Sequence, residues 1–167
     1  MKKRAGAVTL GGNPMTLLEE EIKVGDVAPD FTVLDKDLNP VRLSDAKGKK
    51  VLISVVPSID TPVCASQTRR FNEELATLEE VEVYTVSVDL PFALGRYCAV
   101  EGIDKVKTLS DHKELDFGRK YGFVIDELRI LARGIVAVDE EGVVTHVEYV
   151  PEVTEHPDYE RALEAVR

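Results

Sequence analysis

An unbroken β-favouring run, Val51-Leu52-Ile53-Ser54-Val55-Val56, constrains this chain more than any other stretch. A strand of that kind has no polar face to give to water, so it must be covered on both sides, as a central parallel strand is. It leads into Pro57-Ser58-Ile59-Asp60-Thr61-Pro62-Val63-Cys64, and an amphipathic helical pattern, Ala65 to Leu78, leads out. A second β-favouring run follows, from Val81 to Asp89. Strand, helix and strand over 51–89 predict a βαβ unit with parallel strands and a right-handed crossover. Such a unit delivers Cys64 to the junction where strand stops and helix starts. There the unpaired backbone N–H groups and the positive end of the macrodipole favour a thiolate over a thiol. Cys64 stands seven residues before Phe71. It therefore shares the apolar face of the helix, and its sulfur should face protein.

The remaining segments fall around this unit. Apolar stretches at 7–10 and 15–22, separated by Gly11-Gly12-Asn13-Pro14, predict an N-terminal β-hairpin within 1–22. Phe31–Asp35 and Val41–Leu43 read as short strands about a turn at 37–40. A short helix is predicted at 91–100, with Pro91 at its first position and Gly102 at its end. Gly95 inside it weakens it by roughly 1 kcal/mol relative to alanine. Cys98 lies near its end. Asp111 and Glu114 resemble a capping box for a helix near 111–121. Ile135–Asp139 and Val143–Val150, joined by Glu140-Glu141-Gly142, predict an antiparallel hairpin. Tyr159, Leu163 and Val166 line one face of a final helix, opened by Pro157. A βαβ unit followed by ββα predicts an α/β chain with a central mixed β-sheet flanked by helices. That is a thioredoxin-like fold, here in one domain spanning 1–167.

Charge narrows the function. The chain has 167 residues and a net charge of −10, which argues against nucleic acid and an anionic membrane surface as partners. No apolar run approaches a membrane span. Met1-Lys2-Lys3-Arg4 is basic, but the glycine-rich stretch after it is unlike a signal peptide, so a cytoplasmic location is expected. In a reducing compartment the two cysteines, Cys64 and Cys98, are expected to be catalytic or redox-sensing rather than a structural disulfide. His112, His146 and His156 lack metal-ligand spacing, and there is no Cys-x-x-Cys.

Pro57-x-x-x-Thr61-x-x-Cys64 resembles the active-site pattern of the peroxiredoxin family. The longer run 57–64, with Arg69-Arg70-Phe71-Asn72 after it, resembles the thiol peroxidase subgroup. Asp89-Leu90-Pro91-Phe92-Ala93-Leu94-Gly95-Arg96-Tyr97-Cys98 resembles that subgroup's resolving-cysteine segment, and Leu131-Ala132-Arg133 its active-site arginine segment. The resemblance implies a peroxidase that reduces hydrogen peroxide and organic hydroperoxides. It implies no metal, haem or flavin cofactor, thioredoxin as electron donor, and a homodimer. Cys64 is then the peroxidatic cysteine and Cys98 the resolving one. By charge alone Arg129 rivals Arg133, and only the resemblance favours Arg133. Thr61 is expected to aim its hydroxyl at the sulfur, Pro57 to shield it from water, and Asp60 to point outward. A sulfenic acid at Cys64 condenses with a second thiol. Because a disulfide needs Cα atoms within about 7 Å, one or both helix ends are expected to unwind locally. The alternative is a peroxide sensor or relay protein that passes oxidation to a partner.

Overall fold

The computed structural model describes residues 1–167. Strands β1 (Lys3–Leu10) and β2 (Asn13–Leu18) form the expected hairpin, with a tighter turn and an earlier start than the sequence predicts. Gly11 and Gly12 alone make the turn, with φ of 58° and 85°. Two consecutive positive φ values give the mirror-image turn that matches strand twist. Pro14 falls inside β2, opposite Thr9. It is tolerated there because β2 meets its other neighbour only through Leu17.

Beyond the hairpin come β3 (Thr32–Leu34), β4 (Pro40–Arg42), β5 (Lys50–Val55), α1 (Pro62–Glu74), β6 (Val81–Ser87), α2 (Pro91–Glu101) and β7 (Val106–Ser110). The chain continues through α3 (Asp116–Tyr121), β8 (Val124–Ile125), β9 (Ile130–Leu131), β10 (Gly134–Val138), β11 (Val144–Tyr149) and α4 (Tyr159–Val166). One seven-stranded sheet has the order β11-β10-β5-β6-β7-β3-β4, and a smaller one the order β1-β2-β8-β9. β5, β6 and β7 are parallel, while β10, β11, β3 and β4 join antiparallel. The result is the expected mixed sheet, with the apolar run of β5 covered between β10 and β6. No helix is long and apolar enough to cross a membrane.

β7 occupies residues with no strand assigned in the sequence reading, because Val-Lys-Thr-Leu-Ser is short and mixed in polarity. Its presence makes β6-α2-β7 a second βαβ unit. Phe71 on α1, Leu75 at its C-cap, Cys98 on α2, and Leu163 and Val166 on α4 share one buried cluster. The two cysteine-bearing helices therefore cover the same core.

Two helix starts differ from expectation. The Asp111–Glu114 capping box does not form, and α3 begins only at Asp116, after Leu115 at φ 53°. The Asp111 carboxylate instead accepts the N–H groups of Phe117 at 3.0 Å and Gly118 at 2.8 Å. Pro157 does not open α4. Asp158 is its N-cap and accepts the N–H of Arg161 at 3.2 Å.

Candidate active site

The β5-to-α1 connection builds the site. Thr61 is the N-cap of α1, extended at φ −96° and ψ 148°, and Pro62 opens the first turn. Proline suits that position because its missing N–H would have been unpaired there anyway. Cys64 is thus the third helical residue. Its N–H donates to Thr61 Oγ1 at 3.4 Å, and the Thr61 hydroxyl donates to the Ser58 carbonyl at 3.2 Å. This differs from expectation: the threonine caps the backbone of Cys64 and does not bond its sulfur. Pro57 is buried beside it; Asp60 is exposed, as expected.

Cys64 is 0% exposed, and Nη2 of Arg133 donates to its Sγ at 3.2 Å. Arg133, only 2% exposed, is the largest fully buried side chain in the protein. Its Nε donates to the Val153 carbonyl at 2.7 Å and its Nη1 to Oε1 of Gln67 at 3.0 Å. Gln67 in turn donates to the Ser54 hydroxyl at 2.6 Å. A relay of positions therefore runs from β5 through α1 to the arginine and on to the sulfur. None of the arginine's partners is a carboxylate. A buried charge is costly unless compensated, and the only partner able to carry a full negative charge is the Cys64 sulfur.

Arg129 is exposed in the β8–β9 turn at φ 58°, so the structure separates the two arginines. Gln67 and Val153 were not anticipated. Gln67 was legible as a polar residue between Cys64 and Phe71 on the apolar face of α1. The Val153 carbonyl had no signal in the sequence. Tyr159 also adjoins the site: it meets Phe71 edge-on at 5.5 Å, and the Arg70 guanidinium lies over its ring at 4.6 Å. Burial pushes the Tyr159 phenol upward, partly offset by Arg133 and Arg70. A cleft of about 370 Å³ opens beside the site, walled by Leu10, Pro57, Thr61, Pro62, Ile130 and Arg133.

Cys98 is elsewhere. It lies on the buried side of α2, 8% exposed, with Sγ 3.2 Å from the Thr108 hydroxyl. Both cysteines are free thiols. The structure groups Cys64, Thr61, Pro57 and Arg133 and leaves Cys98 on the neighbouring helix. Tyr97, beside Cys98, links the two helices by donating its hydroxyl to the Ala65 carbonyl at 3.1 Å. Burial, with Glu101 adding to it, raises the Tyr97 phenol.

Comparison with known proteins agrees with this geometry. The redoxin family model matches residues 23–163. A thiol peroxidase from Halalkalibacterium halodurans is 62% identical over 161 residues, covering 96% of this chain and 97% of that protein. A thiol peroxidase from Bacillus subtilis strain 168 is 56% identical over 160 residues, covering 96% of each. The crystal structure of a peroxiredoxin-like protein from Aquifex aeolicus superimposes with a TM-score of 0.91 at 43% identity, covering 98% of this chain and 97% of that one. With its arginine-bound sulfur at a helix start, the chain belongs to the redoxin family, in the thiol peroxidase subgroup of the peroxiredoxins.

Proposed function

We propose that the chain reduces hydrogen peroxide and organic hydroperoxides through Cys64. The observation that carries this reading is a buried guanidinium, bonded to no carboxylate, that donates to the cysteine sulfur at 3.2 Å. The Cys64 thiolate attacks one peroxide oxygen, the O–O bond breaks, and the departing alkoxide takes a proton to leave as alcohol or water. The sulfur becomes a sulfenic acid. Arg133 and the backbone N–H groups of the first turn of α1 stabilise charge on the departing oxygen. Thr61 sets that turn, and Pro57 keeps water from the sulfur.

The Cys98 thiol then attacks the sulfenic sulfur and displaces water, giving a Cys64–Cys98 disulfide. A reduced thioredoxin takes it back to two thiols. We place the working protein in the cytoplasm as a homodimer. Cys64→Ser should abolish peroxide consumption, while Cys98→Ser should consume one equivalent per chain and then stop with thioredoxin present. Full turnover by Cys64→Ser overturns the reading. A peroxide relay draws on one observation, the burial of Cys98 on a separate helix. It predicts slow turnover with thioredoxin and a mixed disulfide with a partner protein.

A further inference from the structure

The loop that leads to Cys64 and the segment that leads into the Cys98 helix meet at one carboxylate. Asp89 follows β6 and immediately precedes Leu90, the N-cap of α2. Its Oδ1 accepts the Ser58 hydroxyl at 2.8 Å. Its Oδ2 accepts the Ile59 N–H at 2.7 Å and the Ser87 hydroxyl at 2.8 Å. Its own carbonyl accepts the Ser110 hydroxyl at 2.5 Å. No lysine or arginine pairs with it among the ion pairs of the protein. Three neutral donors on one carboxylate form a charge-assisted clasp. Ser58 is also the residue whose carbonyl anchors the Thr61 hydroxyl, and Thr61 caps Cys64. A continuous chain of bonds thus runs from the start of α2 to the backbone of Cys64.

We propose that Asp89 is a positioning residue that holds the 57–61 loop in its peroxide-reactive shape, and that its grip sets how readily Cys64 leaves that shape to meet Cys98. This rests on the reading of Cys64 and Cys98 as the reacting pair. The two steps make opposite demands. In the first, Cys64–S⁻ and ROOH give Cys64–SOH and RO⁻, and the sulfur must sit at the head of α1 against Arg133. In the second, Cys64–SOH and Cys98–SH give the disulfide and water, and the sulfur must leave Arg133 behind. A clasp between the loop and the residue that leads into α2 favours the first step and slows the second.

Asp89→Asn keeps the size of the side chain and removes its charge: with the amide oxygen in the place of Oδ2 the bonds from Ile59 and Ser87 weaken to neutral ones, and the NH2 in the place of Oδ1 can no longer accept from Ser58. The lost charge assistance should shift the balance toward the open loop by about tenfold. The test is quenched-flow with mass spectrometry, following Cys64 sulfenic acid and the disulfide separately. Sulfenic acid formation should slow and disulfide formation should speed up. In parallel, more peroxide should be needed to carry Cys64 on to sulfinic acid, since that step (Cys64–SOH and ROOH giving Cys64–SO2H and ROH) competes with the disulfide. A merely structural role would move both rates the same way, so equal or jointly lowered rates overturn the proposal. If Asp89→Asn does not fold, Ser58→Ala, which removes the Oδ1 bond together with the bond from the Asp60 N–H at 3.2 Å, decides the same comparison at about threefold. A wild-type protein that forms no Cys64–Cys98 disulfide overturns the functional reading and this proposal together. Unchanged variant rates beside a normal wild-type disulfide overturn the proposal alone.

Discussion

Arg133 holds a full charge in the protein interior and has only neutral oxygens and a sulfur to share it with. It donates directly to the sulfur at 3.2 Å, where water does not screen it. Arg133→Met should slow the reaction of Cys64 with peroxide by roughly a hundredfold or more, as loss of a donor to developing negative charge does. Gln67→Leu should cost less, about tenfold, because Gln67 reaches the sulfur only through the arginine, and the hydrogen bond it offers there involves a charged group. Competition kinetics against a second peroxidase read both values. Cys64, Pro57 and Thr61 were legible because a strand-to-helix junction is written locally. The choice of Arg133 over Arg129 was not legible from residues alone. Charge is visible in a sequence, whereas burial depends on the Val153 carbonyl and Gln67, which arrive from 20 and 66 residues away.

At the scale of elements, α2 is the weak one, and its weakness has a cause. Gly95 sits in its interior, and a methyl group there would meet only Cβ of Lys36 at 3.5 Å, an ordinary contact. Gly95→Ala should therefore fit and stabilise α2 by about 1 kcal/mol. If α2 must loosen for Cys98 to reach Cys64, that stabilisation slows disulfide formation about fivefold and leaves sulfenic acid formation unchanged. Thiol-trapping time courses distinguish the two steps. The sequence marked α2 well, since Pro91 and Gly102 bound it in both readings. It failed at α3. A capping box is a local rule, and Asp111 found its partners six and seven residues onward, across a turn bent by Leu115. β7 escaped for a related reason: its burial comes from β6 and α2 rather than from its own hydrophobicity.

Across the whole molecule, the mixed sheet was legible because strand order follows from parallel and hairpin connections. The contribution of the N-terminal hairpin to the site was not. Glu152 accepts the Thr9 hydroxyl and the N–H groups of Gly11 and Gly12, clamping the hairpin turn across some 140 residues of chain. The next residue, Val153, holds Arg133. Stability should also follow pH through a group far from the sulfur. Burial raises the Asp111 carboxyl from 3.8 to about 6. Its neutral form is favoured in the folded state, so its contribution is full below the unfolded value and is lost as pH rises through about 6. Urea midpoints should show a loss of up to about 3 kcal/mol from this group between pH 4 and 7, a slope that Asp111→Asn removes. The solitary cation at the centre has a last consequence. On the proposed mechanism a Cys64 thiolate balances Arg133, and once peroxide has turned the sulfur into an uncharged sulfenic acid the arginine faces no opposing charge. On that mechanism, oxidation raises the energy of the folded site at the moment its first turn is required to open. The reagent that fires the trap also unlatches it.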